Sequence, residues 1–329
     1  MTDTLGHGGA DARQVASPRS MIRGYFGDSP WESLNTLPTL YVVGGCAAFV
    51  MSITFFLNRH IYSPQDHWFL FGFGSFTVFC SYFMIYHFLS EYSSSFRRIS
   101  KDKQFYTISN MIKAGVLAAI TPFAVDQLVR VVVYDDWDTN TLRNLGCIYA
   151  IPDFVSLIVV RRMAWTTIVH HLCVCLFNYF SIHNDYGQEN VCRLIVVYAA
   201  FSTFGYVVYM LLASRFLGVS PAVSRFLSLV ALVVYVVCCA TNWAWQASYL
   251  RRLLTAPVPD DGAGGGGGGV VRAHWTIYVY MVLIAFVMWD DLMLNRWLLL
   301  NVRNVHGMHY RRNAAAAASA LRGSGRRPQ

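Results

Sequence analysis

The chain has 329 residues, 55% of them hydrophobic and only 13% charged, against the roughly 25% charge usual in soluble domains. That composition excludes a large soluble domain and indicates a membrane class. The net charge of +8 does not point to nucleic acid, because the basic residues fall in short clusters between apolar runs and in the C-terminal segment, where they read as topology signals and lipid headgroup contacts.

Residues 1–37 are polar and read as a disordered tail with an interfacial Trp31 and no cleavable signal. Apolar runs then predict an all-α, multi-pass transmembrane bundle of about eight spans, at 38–57, 68–90, 110–129, 145–161, 163–182, 193–214, 224–250 and 275–300. The chain divides into the tail, two N-terminal membrane helices over 38–94, a membrane domain over 95–305 and a basic low-complexity tail over 306–329. Lys and Arg alternate across these spans. One side collects Arg13, Arg19, Arg23, Arg97, Arg98, Lys101, Lys103, Arg161, Arg162, Arg215, Arg225 and the arginines from Arg296 onward. The other has only Arg59, Arg130, Arg143, Arg193, Arg251, Arg252 and Arg272, so both termini are expected in the cytosol. The third span carries Lys113 and Asp126 near its two ends, where each is expected to snorkel. The six glycines 264–269 lack the Lys-Ser/Thr and the preceding strand of a phosphate loop and read as a linker. The eight cysteines read as thiols in apolar surroundings, with no disulfide framework and no zinc site.

The fourth and fifth spans flank a single basic break, Arg161-Arg162, and form a tight antiparallel hairpin. Asp153 precedes the break and His170 follows it by equal distances, which places both about 12 Å below the same surface at 1.5 Å per residue. An ionisable group at that depth costs several kcal/mol unless paired or wet. Thr167, His171, Cys175 and Asn178 share one helix face, so His171 is expected to face the bundle interior, with His170 about 100° round from it. The simplest alternative has each histidine hydrogen-bonding a neighbouring helix and stiffening the packing. A metal site is disfavoured, since adjacent helical histidines diverge and the His-x-x-His-His box of membrane desaturases and fatty-acid elongases has Thr167 in its first place. The last span adds Asp290-Asp291, placed about 8 Å below the cytosolic surface by the spacing to Arg296. There Asp291 has an ordinary explanation in a bond to Asn295. The sixth span offers a polar stripe of Tyr198, Ser202, Tyr206 and Tyr209.

Phe105-Tyr-Thr-Ile-Ser109, Tyr149-x-x-x-Asp153, Thr-x-x-His170-His171 and Phe201-Ser-Thr-Phe204 with Arg215 closing the helix together resemble the TLC domain, over about residues 95–305. That domain is shared by ceramide synthases, translocation-associated membrane proteins and smaller lipid-regulating proteins. The resemblance implies a membrane bundle, commonly in the endoplasmic reticulum. In ceramide synthases it transfers an acyl group from acyl-coenzyme A, the co-substrate, to a sphingoid-base amine. His170, His171 and Asp153 match the catalytic positions. Asp290, Asp291, Asn178, Ser202 and Tyr206 are the residues expected to handle substrate. The chain departs from the pattern at Tyr198-Ala-Ala, where ceramide synthases carry a His-Asp and a second Asp, and at Ala200, where smaller members often have Glu. A non-catalytic lipid-binding or trafficking role is therefore the alternative. The partners implied are membrane lipids, acyl-coenzyme A or a sphingoid base, and a homo-oligomer is compatible with them. No permanently bound cofactor is implied.

Overall fold

The computed structural model describes residues 36–61, 63–217, 219–255 and 269–324. The N-terminal tail with Trp31, and the glycine run apart from Gly269, lie outside them. The described residues form helices α1 (Thr36–His60), α2 (Pro64–Tyr92), α3 (Ser94–Arg98), α4 (Lys101–Tyr134), α5 (Thr139–Val159), α6 (Trp165–His183), α7 (Val191–Ser202), a 3-10 turn (Thr203–Gly205), α8 (Tyr206–Ser214), α9 (Pro221–Thr255) and α10 (Gly269–Ser324). The helix starts follow from local chemistry. Ser63 caps α2 in a reciprocal box with Asp66 and has Pro64 behind it. The Asp138 carboxylate accepts from the Asn140 and Thr141 amides at the start of α5, and Asn190 caps α7 through the Cys192 amide.

Seven stretches are long and apolar enough to cross a membrane: Pro38–His60, Pro64–Tyr92, Lys101–Tyr134, Thr139–Val159, Val191–Ser214, Ala222–Thr255 and Thr276–Asn304. The fold is thus an all-α, multi-pass helical bundle. The expected fifth span, 163–182, forms the helix α6, but four polar residues (His170, His171, Asn178 and His183) keep it out of that set. Its 19 residues still cover about 28 Å at 1.5 Å per residue. It packs against α2, α5, α7 and α10. The expected sixth span is interrupted, because the 3-10 turn at Thr203–Gly205 separates α7 from α8. The stretch 306–324, read as tail from sequence, continues α10 as helix.

Burial separates centre from periphery. The Thr139–Val159 window is 67% buried and the Val191–Ser214 window 61%, whereas the windows on α2 and α9 are each 17% buried. The outer face of α2 presents Phe69, Phe73, Phe76 and Phe83 at helical spacing, and α10 presents Tyr278, Val282, Phe286 and Trp289. A surface this apolar is suited to acyl chains and not to water. α1 seats closely on α4 at Gly115, where an added Cβ would lie 2.6 Å from the Cys46 Cβ and 2.8 Å from the Val43 carbonyl oxygen. All eight cysteines are free thiols.

Candidate functional site

The hairpin of α5 and α6 brings Asp153 together with His171, the neighbour of His170 at equal depth across the turn. His171 Nε2 lies 3.5 Å from Asp153 Oδ1. On its other side, His171 Nδ1 is 2.7 Å from Ser156 Oγ and 3.2 Å from the Asp153 carbonyl oxygen, to which the Ser156 hydroxyl can also donate at 2.8 Å. Ser156 has one proton and two acceptors in reach. When it donates to the Asp153 carbonyl, His171 Nδ1–H donates to Ser156. When it donates to His171 Nδ1, the ring proton sits on Nε2 and faces the Asp153 carboxylate.

A third group completes this node and corrects the reading of α4. Lys113 does not snorkel. It is buried, its Nζ donates to Asp153 Oδ1, and it sits 4.5 Å from the centroid of the Tyr209 ring. The physical reason lies in the length of α4, whose 34 residues cover about 50 Å at 1.5 Å per residue. Lys113 is three turns inside rather than at the rim, and the nearest counter-charge is the aspartate on α5. Asp126, by contrast, is exposed.

His170 points elsewhere. Its ring lies 5.9 Å from that of His171 at 64°, so the adjacent histidines diverge as helical geometry demands. His170 Nδ1 is 3.4 Å from Asp290 Oδ2, an ion-pair separation without hydrogen-bond alignment. This separation places Asp290 beside the histidine pair. Asp291 is buried. It accepts from the Tyr198 hydroxyl and, at 2.6 Å, from the Tyr235 hydroxyl. Asn295 donates instead to Cys239 at 3.7 Å.

Between α5, α6, α7 and α10 is an apolar cavity of about 40 Å³, room for a few waters by volume. His170, Tyr149, Tyr198, Asn178 and Ser181 are the polar side chains that line it, and Gly146, Val174, Phe177 and Val287 are among its apolar walls. Adjacent aspartates of α10 therefore each hold one cavity-lining group, Asp290 toward His170 and Asp291 toward Tyr198. Asn178 Oδ1 is buried without a hydrogen-bond partner. Asp153, His171 and Ser156 sit behind the wall. Ser202 and Tyr206 are not in the wall. The Ser202 hydroxyl returns to the Tyr198 carbonyl at 2.9 Å, and Tyr206 packs into the core. Of the tyrosine stripe, Tyr198 is the member that reaches the cavity.

Sequence reasoning missed Lys113, Ser156 and Tyr235. Ser156 lies three residues after Asp153 on α5, a signal that was available. Lys113 and Tyr235 carried none, since their positions follow from tertiary packing. Among the described residues, no three His, Cys, Asp or Glu side chains converge as a metal site would require.

These features define a multi-pass helical membrane protein with a buried charged node beside an apolar cavity. No family model, curated protein or solved structure matches the chain.

Proposed function

We propose that the chain is a membrane protein of lipid metabolism, of the TLC-domain type, that transfers an acyl group from acyl-coenzyme A to the amine of a sphingoid base. The observation that carries this reading is His170, which both lines the cavity and has a carboxylate behind it. With Nδ1 turned to Asp290, Nε2 is the nitrogen left to act on substrate. In the proposed step the amine nitrogen attacks the thioester carbonyl, the C–N bond forms, and His170 Nε2 takes the amine proton. The C–S bond then breaks, the proton passes to the departing sulfur, and amide and free coenzyme A leave. Asp290 offsets the imidazolium charge, and the His171–Asp153–Lys113 node fixes the register of α4, α5 and α6 around it. An acyl chain needs more room than the cavity offers, so α6 and α10 separate to admit it from the bilayer.

A non-catalytic lipid-binding role is the second reading, favoured by the pairing of Asp153 with Lys113, which leaves that carboxylate no free proton-accepting role. Residence in the endoplasmic reticulum with cytosolic termini is part of the proposal and rests on the TLC resemblance and the distribution of basic residues. The test is amide formation by purified protein in liposomes given a thioester and a long-chain amine. Product from wild type that disappears in His170→Gln supports transfer. Binding of either lipid without product supports the second reading.

A further inference from the structure

The end of the bundle that holds the α5–α6 turn carries Arg97, Arg98, Lys101, Lys103, Arg161, Arg162, Arg215 and Arg225, against Glu91 and Asp102. Most of these cations are accounted for as topology signals spread over separate turns. Two are not spread. Lys103 Nζ lies 5.1 Å from the centroid of the Phe216 ring and Arg215 Cζ lies 4.4 Å from the same centroid, so α4 and the end of α8 bring two positive groups onto one ring. They are closer than roughly the 10 Å over which salt screens charge. Arg215 also lies 5.6 Å from the Trp297 ring centroid and 5.9 Å from that of Tyr106. The carboxylate nearest in sequence, Asp102, is engaged by Arg162 at 3.0 Å, and among the described residues neither Lys103 nor Arg215 has an acidic partner. Two like charges gathered without a counter-ion repel, and an anion with several acceptor oxygens placed between them removes that cost.

We propose that Lys103 and Arg215, gathered on Phe216 with Tyr106 and Trp297 beside them, form a binding site for a phosphate group. The planar guanidinium can take two oxygens at once while the ammonium supplies a point charge, and the aromatic rings offer a face to whatever carries the phosphate. Tyr106, Asn110 and Lys113 lie on one face of α4, so the site stands about 10 Å from the Lys113–Asp153 node along that helix. Two sources present the same chemistry: a soluble nucleotide phosphate, such as the adenosine bisphosphate portion of coenzyme A, and the headgroup of an anionic lipid. The proposal is independent of acyl transfer, because its test requires no turnover.

The experiment uses the full chain in nanodiscs. In neutral phosphatidylcholine discs, adenosine 3′,5′-bisphosphate is added and binding is read by equilibrium dialysis. In a second arm, discs containing phosphatidic acid replace the soluble probe and the thermal midpoint is read. Wild type is expected to respond in at least one arm, the first assigning a soluble phosphate and the second a headgroup. Lys103→Gln and Arg215→Gln should each weaken that response about tenfold, with Arg225→Gln, at the same end of the bundle, unchanged. Both altered side chains are exposed, so folding is expected to survive, and a ligand-free thermal midpoint at the wild-type value provides the folded control for each variant. Wild type silent in both arms, or Arg225→Gln as damaging as Arg215→Gln, overturns the site. His170→Gln should leave binding intact, so failure of the acyl-transfer reading and failure of the phosphate site give different results.

Discussion

Lys113 of α4 and Asp153 of α5 meet as an ion pair with side-chain exposures of 4% and 0%. Neither charge reaches water, so each is tolerable only because the other is there. The pair also locates His171, whose Nε2 faces the same Asp153 oxygen. It joins three helices at one point.

Removing one member strands the other. Lys113→Met and Asp153→Asn are each expected to destabilise the protein by about 3–5 kcal/mol, seen as a lower thermal midpoint in detergent. The double variant should recover much of the loss, because no uncompensated charge remains. Losses that simply add would show that the two residues are not an energetic unit.

The contact of α1 with α4 gives a second prediction. A Cβ at Gly115 would lie 2.8 Å from the Val43 carbonyl oxygen, a backbone atom that cannot swing aside, whereas one at Gly44 meets nothing within 4 Å. Gly115→Ala should lower the thermal midpoint by the equivalent of about 1–3 kcal/mol of overpacking, and Gly44→Ala should leave it unchanged. Equal midpoints for the two variants would mean that α1 is not seated on α4 as described.

Sequence made the class of fold legible because apolar length is a local property, and seven of the expected spans need nothing more. It also brought Asp153 to the histidine pair, since a hairpin with a short turn forces equal depth on Asp153 and His170, equally far from the break, and the face shared with Thr167, Cys175 and Asn178 turns His171 inward. What it hid depends on distant packing. The partner of Asp153 comes from α4, forty residues earlier, and a lysine near the expected end of a span looks like a snorkelling residue until the neighbouring helices are in place. The partners of Asp291 were hidden in the same way: Tyr198 and Tyr235 come from α7 and α9, while Asn295 was the only candidate on its own helix.

Topology offers a third check. Basic residues crowd the end of the bundle bearing the α5–α6 turn, and both termini are expected on that side. An N-glycosylation acceptor inserted at residue 20 should stay unmodified and one inserted at residue 265 should be modified. The reverse pattern would invert the orientation and move the phosphate site to the other side of the membrane.

The two histidines should separate in their effects, because their surroundings differ. His170 lines the cavity and has Asp290 beside it at 3.4 Å, so His170→Gln should reduce amide formation by about 10²–10⁴-fold while barely moving the thermal midpoint. His171 is enclosed by Ser156 and Asp153. His171→Ala takes one partner each from the Ser156 hydroxyl and from Asp153 Oδ1, which keep the Asp153 carbonyl and Lys113 respectively, and opens space at a buried position, which should lower stability by about 1–3 kcal/mol, with any loss of activity following the loss of folded protein. Asp290→Asn should resemble His170→Gln in rate but be milder, since the imidazole remains and loses only its counter-charge. Measuring rate and midpoint together in liposomes distinguishes these outcomes. A His171→Ala variant that folds normally yet is inactive, beside a fully active His170→Gln, would transfer the role of base to His171 and require the cavity to open on the Asp153 side.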